Sequence, residues 1–415
     1  MGPRAAQTLD LIRRADWFDA ARAKGYLAIL AVLSAIVAVG YLYLSSPLLD
    51  PQGKALGTDF ASFWTASQLA LAGGSPWDVE AHRAAQTAIF GPGAGYAAFF
   101  YPPPYLLLCL PLALLPYAAS LAVWLGATGA AFAAMARRWL GRESGWLPIA
   151  AFPAVLVNAG HGQNAFLTAA LFGAGALIAS KRPWLSGVLF GCLVIKPHLA
   201  VLVPLFMIAT GNWRGFIAAG ATAVGLCALS LVVLGPEAWQ GFFETSALAR
   251  QTLEQNLVGY AKMQSAYAGA RLLGAPGAVA WALQGLALVA AGASVWMTRK
   301  ADARARGAVL AAATLLATPF LLDYDLLLLA VPLAWLFREA TKDPGRDGWR
   351  DWEKAALVAG FVLPVVSRSL AMAAGLPVAP LVVLGLLACL VRRARTAETV
   401  EANLPDAATL SMARP

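Results

Sequence analysis

Charge is what this chain has least of. Only 13% of its 415 residues are Asp, Glu, Lys or Arg, about half the share in an average soluble protein. Too few charges remain to solvate the surface of a water-soluble domain of this length. Histidine is nearly missing as well. With only His82, His161 and His198, an all-histidine metal site is improbable. The four cysteines, Cys109, Cys192, Cys227 and Cys389, sit in apolar segments with no metal-ligand spacing, so they are expected to be small buried hydrophobes. No Gly-x-Gly-x-x-Gly follows a strand pattern, and Walker, His-Glu-x-x-His and Gly-x-Ser-x-Gly motifs are missing too. The nucleotide-binding, zinc-protease and serine-hydrolase signatures are therefore not found.

What is abundant is hydrocarbon. Hydrophobic residues make up 60% of the chain and the mean hydropathy is +0.65. Apolar runs recur that suit a bilayer core about 30 Å thick. They predict about twelve spans, near 24–45, 117–139, 146–159, 164–180, 183–195, 198–210, 215–234, 277–298, 305–321, 325–338, 354–375 and 377–391. Several are short enough to need tilt or flanking help. The first run is followed by Ser45-Ser46-Pro47 rather than a small-x-small cleavage end, so it is expected to be retained. The fold class expected is an all-α polytopic membrane protein.

The net charge of +9 sits in short loops, with no aromatic-basic surface of the nucleic-acid-binding kind. If both termini are cytoplasmic, about 24 of the 31 Lys and Arg fall inside. The remainder, Lys54, Arg83, Lys196, Arg250, Lys262, Arg271 and Arg368, fall outside. That is a strong positive-inside bias. It divides the chain into a cytoplasmic segment 1–23, a membrane domain 24–392 with outer loops 46–116 and 235–276, and a disordered cytoplasmic tail 393–415. The proline-bounded stretch from Tyr101 to Pro116 is expected to be an interfacial helix rather than a span.

Polar clusters collect on the outer side. Asp59 lies in Thr58-Asp59-Phe60-Ala61-Ser62-Phe63-Trp64, where helical spacing predicts an amphipathic helix ending at Gly73-Gly74. Ser75-Pro76-Trp77-Asp78 predicts the start of a second one, with Ser75 as its cap. Both are expected to lie along the membrane surface. Asp59 either caps its helix or acts as a catalytic base. Asn158-Ala159-Gly160-His161-Gly162-Gln163-Asn164 is either a tight turn or the lining of a cavity, since polar groups at that depth are costly. Lys196 and His198 interrupt an apolar run, either snorkelling to head groups or holding an anion. Asp323 and Asp325 either cap the next helix or serve the site. Arg368 is a charge well inside the eleventh span and a lipid-phosphate or ion-pair candidate.

Six motifs in order, Thr58–Trp64, Gly73–Asp78, Tyr101-Pro102-Pro103, Gly160–Asn164, Lys196-Pro197-His198 and Asp323-Tyr324-Asp325, resemble glycosyltransferase family 87 over about residues 25–390. This family lies within the GT-C class of integral-membrane glycosyltransferases. The resemblance implies a GT-C-type helical bundle that moves a hexose, mannose-like, from a polyprenyl-phosphate donor to a lipid-linked or other acceptor. Transfer would occur on the outer face of the plasma membrane, with inversion. It assigns Asp59 as the base. Lys196, His198, Arg368 and His161 are candidates for the donor phosphate, and Gln163, Asn164, Gln264, Asp323 and Asp325 for the substrate. Phe60 stands where many relatives carry a second acid, and a monophosphate leaving group requires no metal or other cofactor. The partners implied are the lipid donor, the acceptor and membrane lipids, with the protein expected to be a monomer. The rival classes are a transporter or flippase, which would need midplane sites in matched broken helices, and another outer-face transferase such as a polysaccharide ligase or acyltransferase.

Overall fold

A computed structural model describes residues 3–257, 259–342 and 348–402. Among these residues every named element is helical. The chain begins with α1 (Pro3–Arg14) and α2 (Ala20–Leu44), followed by α3 (Thr58–Leu71), α4 (Val79–Phe90) and α5 (Pro103–Cys109). It continues through α6 (Tyr117–Leu140), α7 (Leu147–Ala150), α8 (Pro153–His161), α9 (Ala165–Ile178), α10 (Pro183–Gly191) and α11 (Val203–Ala209). Next come α12 (Trp213–Leu234), α13 (Pro236–Glu254), α14 (Ala266–Leu272) and α15 (Gly277–Met297). The last four are α16 (Ala303–Ala317), α17 (Ala330–Ala340), α18 (Glu353–Ala374) and α19 (Val378–Ala402).

Among the described residues five helices, α2, α6, α12, α15 and α18, are long and apolar enough to cross a bilayer, and shorter apolar helices stand among them. Several of the spans expected as single rods are broken. Pro153 opens α8 after the short α7, dividing the stretch 146–159. The stretch 183–210 becomes α10, a 3₁₀ turn Cys192–Ile195, a second 3₁₀ turn Pro197–Ala200, and α11. Between α16 and α17 lies a 3₁₀ segment, Asp323–Leu329. Irregular backbone at this depth is tolerated where protein rather than lipid surrounds it, and the breaks at 192–198 and 318–325 are where the polar candidates sit.

α16 is the hub. Ala305 and every residue from Gly307 to Ala317 are buried, and α9, α15, α17 and α19 pack around it. Small side chains let these backbones approach closely, which is how helices associate where lipid supplies no hydrophobic drive. The same logic joins α10 to α12. A Cβ on Gly187 would lie 2.3 Å from the Gly215 carbonyl oxygen, and one on Gly191 2.6 Å from that of Ala219. Asp19, Asn212, Ser265 and Asp302 cap α2, α12, α14 and α16 through their side chains, as expected for these residue types.

The first loop forms a second core rather than a surface film. Phe60, Phe63, Phe99 and Tyr105 are fully buried with Tyr117 and Trp124 of α6. The Phe63 ring meets Tyr101 at 5.2 Å and Tyr105 at 5.1 Å, edge to face, the arrangement aromatic quadrupoles favour. The two helices expected along the membrane surface therefore spend their aromatic face on protein. α5 packs on protein too, with Pro103, Pro104, Tyr105, Leu106 and Cys109 all inside, while Leu108 and, just after it, Leu114 stay exposed. The second loop helix starts later than its sequence suggests. Asp78 caps α4, accepting from the Glu80 and Ala81 amides, and Ser75 lies ahead of it. His82 is a core histidine, near the Ser62 carbonyl at 3.2 Å, its pKa lowered to about 4 by burial.

At the opposite end the basic residues bind backbone carbonyls. Arg137 donates to Gly141 and Gly145, and Arg304 to Arg138 and Trp139, matching cations to helix C-termini. α19 runs past the boundary at 393 expected for a disordered tail. Arg393 is buried and donates to both Glu353 oxygens, at 2.9 and 2.5 Å, which ties this part of the tail to α18. Residues 403–415 lie outside those described.

Removing the guanidinium would take away the two short bonds of the wholly buried Glu353 carboxylate, leaving it the Arg350 amide and an Arg392 guanidinium 3.9 Å away. Arg393→Ala is therefore expected to cost about 3–5 kcal/mol, read as a large drop in melting temperature of the detergent-purified protein. A melting curve like that of the parent would show the pair to be dispensable.

Candidate active site

Two glycines bring the site together. α3 begins after Gly57, at φ +69°, and α8 ends at Gly162, at φ +63°, both in the left-handed region that glycine enters without cost. A Cβ on Gly162 would stand 2.6 Å from Cβ of Phe60 and 3.4 Å from Cα of Gly57. Only the bare backbone allows the first turn of α3 to rest on the end of α8. The Trp124 indole holds the junction from α6 by donating to the Gly162 carbonyl at 3.1 Å.

That contact sets Asp59 beside the turn 161–164. Gln163 Nε2 donates to Asp59 Oδ2 at 2.9 Å. The Gln163 carbonyl oxygen in turn accepts from Tyr101 Oη at 2.9 Å and from the Asn164 amide at 2.7 Å. These two bonds fix which end of the amide faces the carboxylate. Asp59 is therefore not serving as the cap of α3, since Gly57 holds that position and makes no side-chain cap bond. Thr58 Oγ1 lies 3.0 Å from His161 Nδ1, and the His161 ring sits 5.8 Å from that of Tyr324.

Lys196 leaves its 3₁₀ turn and is almost completely buried. Its ammonium donates to Asp325 Oδ1 at 2.5 Å and to Asn164 Oδ1 at 3.3 Å, with the Tyr324 ring 4.8 Å away. Asp325 Oδ2 accepts from the Leu322 amide at 3.3 Å, so this residue both caps its 3₁₀ segment and neutralises the lysine. Asp323 receives Arg368 at 3.3 Å, and the arginine keeps a third of its side chain exposed. His198 packs near Phe320, and its Nε2 is buried with no hydrogen-bond partner among the described residues.

The 260s loop joins through backbone. The Gln264 amide donates to the Leu321 carbonyl at 2.7 Å. The side chain of Gln264, however, turns back to the carbonyls of Ala261 and Lys262, so it is spent within its own loop. The other expected residues, Asp59, His161, Gln163, Asn164, Lys196, His198, Asp323, Asp325 and Arg368, come to one end of the bundle. Three participants were missed. Tyr101 and Tyr324 stand within recognised motifs and Thr58 beside Asp59, but nothing in their spacing marks which polar group each will meet.

The charges divide into pairs and a remainder. Lys196 is matched to Asp325 and Arg368 to Asp323. Asp59, half-buried, forms no ion pair among the described residues and leans on a neutral amide. Its carboxyl is pushed up from the ordinary value, chiefly by burial. Neighbouring Asp323 adds to the rise, while His161, the Gln163 bond and Lys196 oppose it. Burial also pushes the Tyr101 phenol well up, so it remains a hydrogen-bond donor at neutral pH.

The profile of glycosyltransferase family 87 matches residues 99–322. The chain belongs to glycosyltransferase family 87. The matched stretch holds Tyr101, His161, Gln163, Asn164, Lys196 and His198. Asp59 lies before it, and the pair of acids with Arg368 lies after it. No curated protein and no solved structure matches the chain. As a family 87 member it is a membrane glycosyltransferase, and its apolar helices make it multi-pass.

The glycine contact is directly testable. Gly162→Ala adds a left-handed alanine and an overlap with Phe60, expected to cost about 1–3 kcal/mol or more. Sugar transfer should fall further than stability alone explains, because Gln163 follows the same turn. Parent-like melting and transfer would show that the two helix ends tolerate separation.

Proposed function

We propose that this glycosyltransferase moves a hexose, mannose or a close relative, from a polyprenyl monophosphate to a hydroxyl of a lipid-linked or other glycan acceptor. The reaction is proposed to occur on the non-cytoplasmic face of the plasma membrane, by a monomer with both termini in the cytoplasm. The observation that carries this reading is the state of Asp59. It is an ion-pair-free carboxylate, held by an oriented amide, among groups whose other charges are matched.

In the proposed reaction Asp59 accepts the proton of the acceptor hydroxyl as its oxygen bonds to the anomeric carbon. The bond from that carbon to the phosphate oxygen breaks with its electrons, releasing polyprenyl phosphate. Attack opposite the leaving group inverts the anomeric centre. A carboxyl raised above its usual value makes a stronger base in its ionised form. Arg368, with its free edge, and His161 and His198 are the groups proposed to meet the phosphate. Donors already in place as charge develops on the leaving oxygen lower the barrier most. Lys196 moves to a supporting role, because Asp325 already takes its charge. Asn164, Asp323 and Asp325 likewise serve the frame that holds the site. The chemistry proposed calls for no resident cofactor.

Asp59→Asn retains size while removing the proton acceptor. Transfer from radiolabelled polyprenyl-phosphate hexose should fall at least about 100-fold, since general-base catalysis is worth roughly 10²–10⁴. The melting temperature should hardly move. Normal transfer by this variant would remove Asp59 from the mechanism.

The pH profile offers a second test. A base works only when ionised, so activity should rise with pH, with the midpoint of its acid limb above the ordinary Asp value of about 3.9. The Gln163 bond favours the ionised form. Gln163→Ala should therefore carry that midpoint to higher pH as well as lowering turnover. A fall in turnover at an unmoved midpoint would mean that Gln163 does not act through Asp59.

A further inference from the structure

At the end of the molecule opposite Asp59 there is a cavity of about 450 Å³ between α2 and the bundle. Ala23 and Leu30 of α2 face Leu140, Phe152, Leu333 and Phe361 across it. Its lining is almost wholly apolar, and water without polar partners does not occupy such a space stably. The outer wall is loosely held. α2 buries none of its residues and reaches the bundle mainly through α7 and α8.

Depth and charge indicate what fills it. The lining runs along α2 from Ala20 to Leu30, which is ~15 Å of helix, or half of a bilayer core of about 30 Å. Its polar margin, at Asp19 and Thr341, lies among the basic residues. Lys24 is exposed next to the lining residue Ala23, and Arg142 is exposed two residues past the lining residue Leu140, neither with a carboxylate partner among the described residues. Arg22 and Arg338 stand beside lining residues as well. The acids nearby are Asp16, Asp19, Glu143, Glu339 and Asp351, and of these Asp19, Glu339 and Asp351 already face Arg22, Lys342 and Arg13.

We infer that this cavity binds one acyl chain of an anionic phospholipid from the leaflet facing the basic end, with its phosphate held by Lys24 and Arg142. The lipid completes the contact of α2 with the bundle. The donor's polyprenyl tail is the competing occupant, since Phe361 lies only two turns from Arg368. The cationic margin favours the phospholipid, whose head group would sit there, whereas the donor phosphate would sit at the far end.

Native mass spectrometry of the detergent-purified full chain can decide this. Dioleoyl phosphatidylglycerol and dioleoyl phosphatidylcholine share the same tails and differ in head-group charge. One phosphatidylglycerol per chain should bind saturably, at least about fivefold tighter than phosphatidylcholine, the gain expected from a single well-placed cation. The double variant Lys24→Gln with Arg142→Gln should lose that preference and keep the weaker binding. Ala23→Phe, on a helix without a buried face, should weaken both lipids. The exposed charge variant does not rely on core packing, so it remains decisive even if Ala23→Phe folds poorly. Absence of saturable binding, equal affinity for the two lipids, or a preference that survives the charge variant would overturn the inference. Displacement of phosphatidylglycerol by polyprenyl phosphate, one for one, would also overturn it and assign the cavity to the donor tail. The readout needs no catalysis, so it stands apart from the fate of the proposed reaction.

Discussion

The arrangement depends on one buried ion pair, Lys196 with Asp325. An unpaired ammonium inside a membrane protein is costly, and so is a carboxylate, so each charge can be buried only where the other is. Their meeting at 2.5 Å therefore forces two breaks in otherwise apolar stretches to coincide, the 3₁₀ turns around 192–200 and the segment 323–329. Asn164 Oδ1 accepts a second hydrogen bond from the same ammonium, which brings in the turn after α8. Tyr324, between the two acids, is thereby placed near both Lys196 and His161. The neighbouring pair, Asp323 with Arg368, extends the same frame to α18.

That frame leaves one carboxylate unmatched, the one proposed as the base. A carboxylate in contact with a lysine or arginine has its charge matched and an oxygen occupied, as Asp325 is by Lys196 and Asp323 by Arg368. Asp59 has a neutral amide instead, oriented by Tyr101 and by the Asn164 backbone. Burial raises its carboxyl from the ordinary value, although His161, the Gln163 bond and Lys196 oppose the rise. The aromatic core beneath α3 supplies both the low polarity and the rigidity. The two ends of the molecule thus use charge differently. At one end many cations cap helix carbonyls or stand exposed beside a few ion pairs such as Arg393 with Glu353. At the other, Lys196 and Arg368 are matched to carboxylates and Asp59 is left without a partner cation among the described residues.

Much of this was legible in the residues. Low charge, long apolar runs and lopsided basic loops foretold an all-helical membrane protein. The positions where polar groups interrupt apolar runs, at 158–164, 196–198 and 323–325, proved to be the segments that converge. Less legible was how each helix would spend its apolar face. The pattern of α3 fits a membrane surface as well as a protein core, because Phe60 and Phe63 are equally content in either. The choice was made by Tyr105, Tyr117 and Trp124, which come from elsewhere in the chain. Likewise Ser75 and Asp78 are both good caps, and the backbone decided between them.

By itself, then, the sequence determined the class of solvent the chain inhabits, the approximate places of its helices and the set of polar groups that lipid would not accept. These are local or additive properties, since transfer cost and helical spacing belong to short stretches. Tertiary structure alone decided which charge would be matched with which. Lys196 and Asp325 are far apart in sequence, as are Gln163 and Asp59, and pairing energy depends on distances that no short segment contains. For that reason Lys196, a phosphate-binding candidate as a lone cation, became part of the frame. Asp59, equally plausible as a helix cap, was left as the unpaired carboxylate.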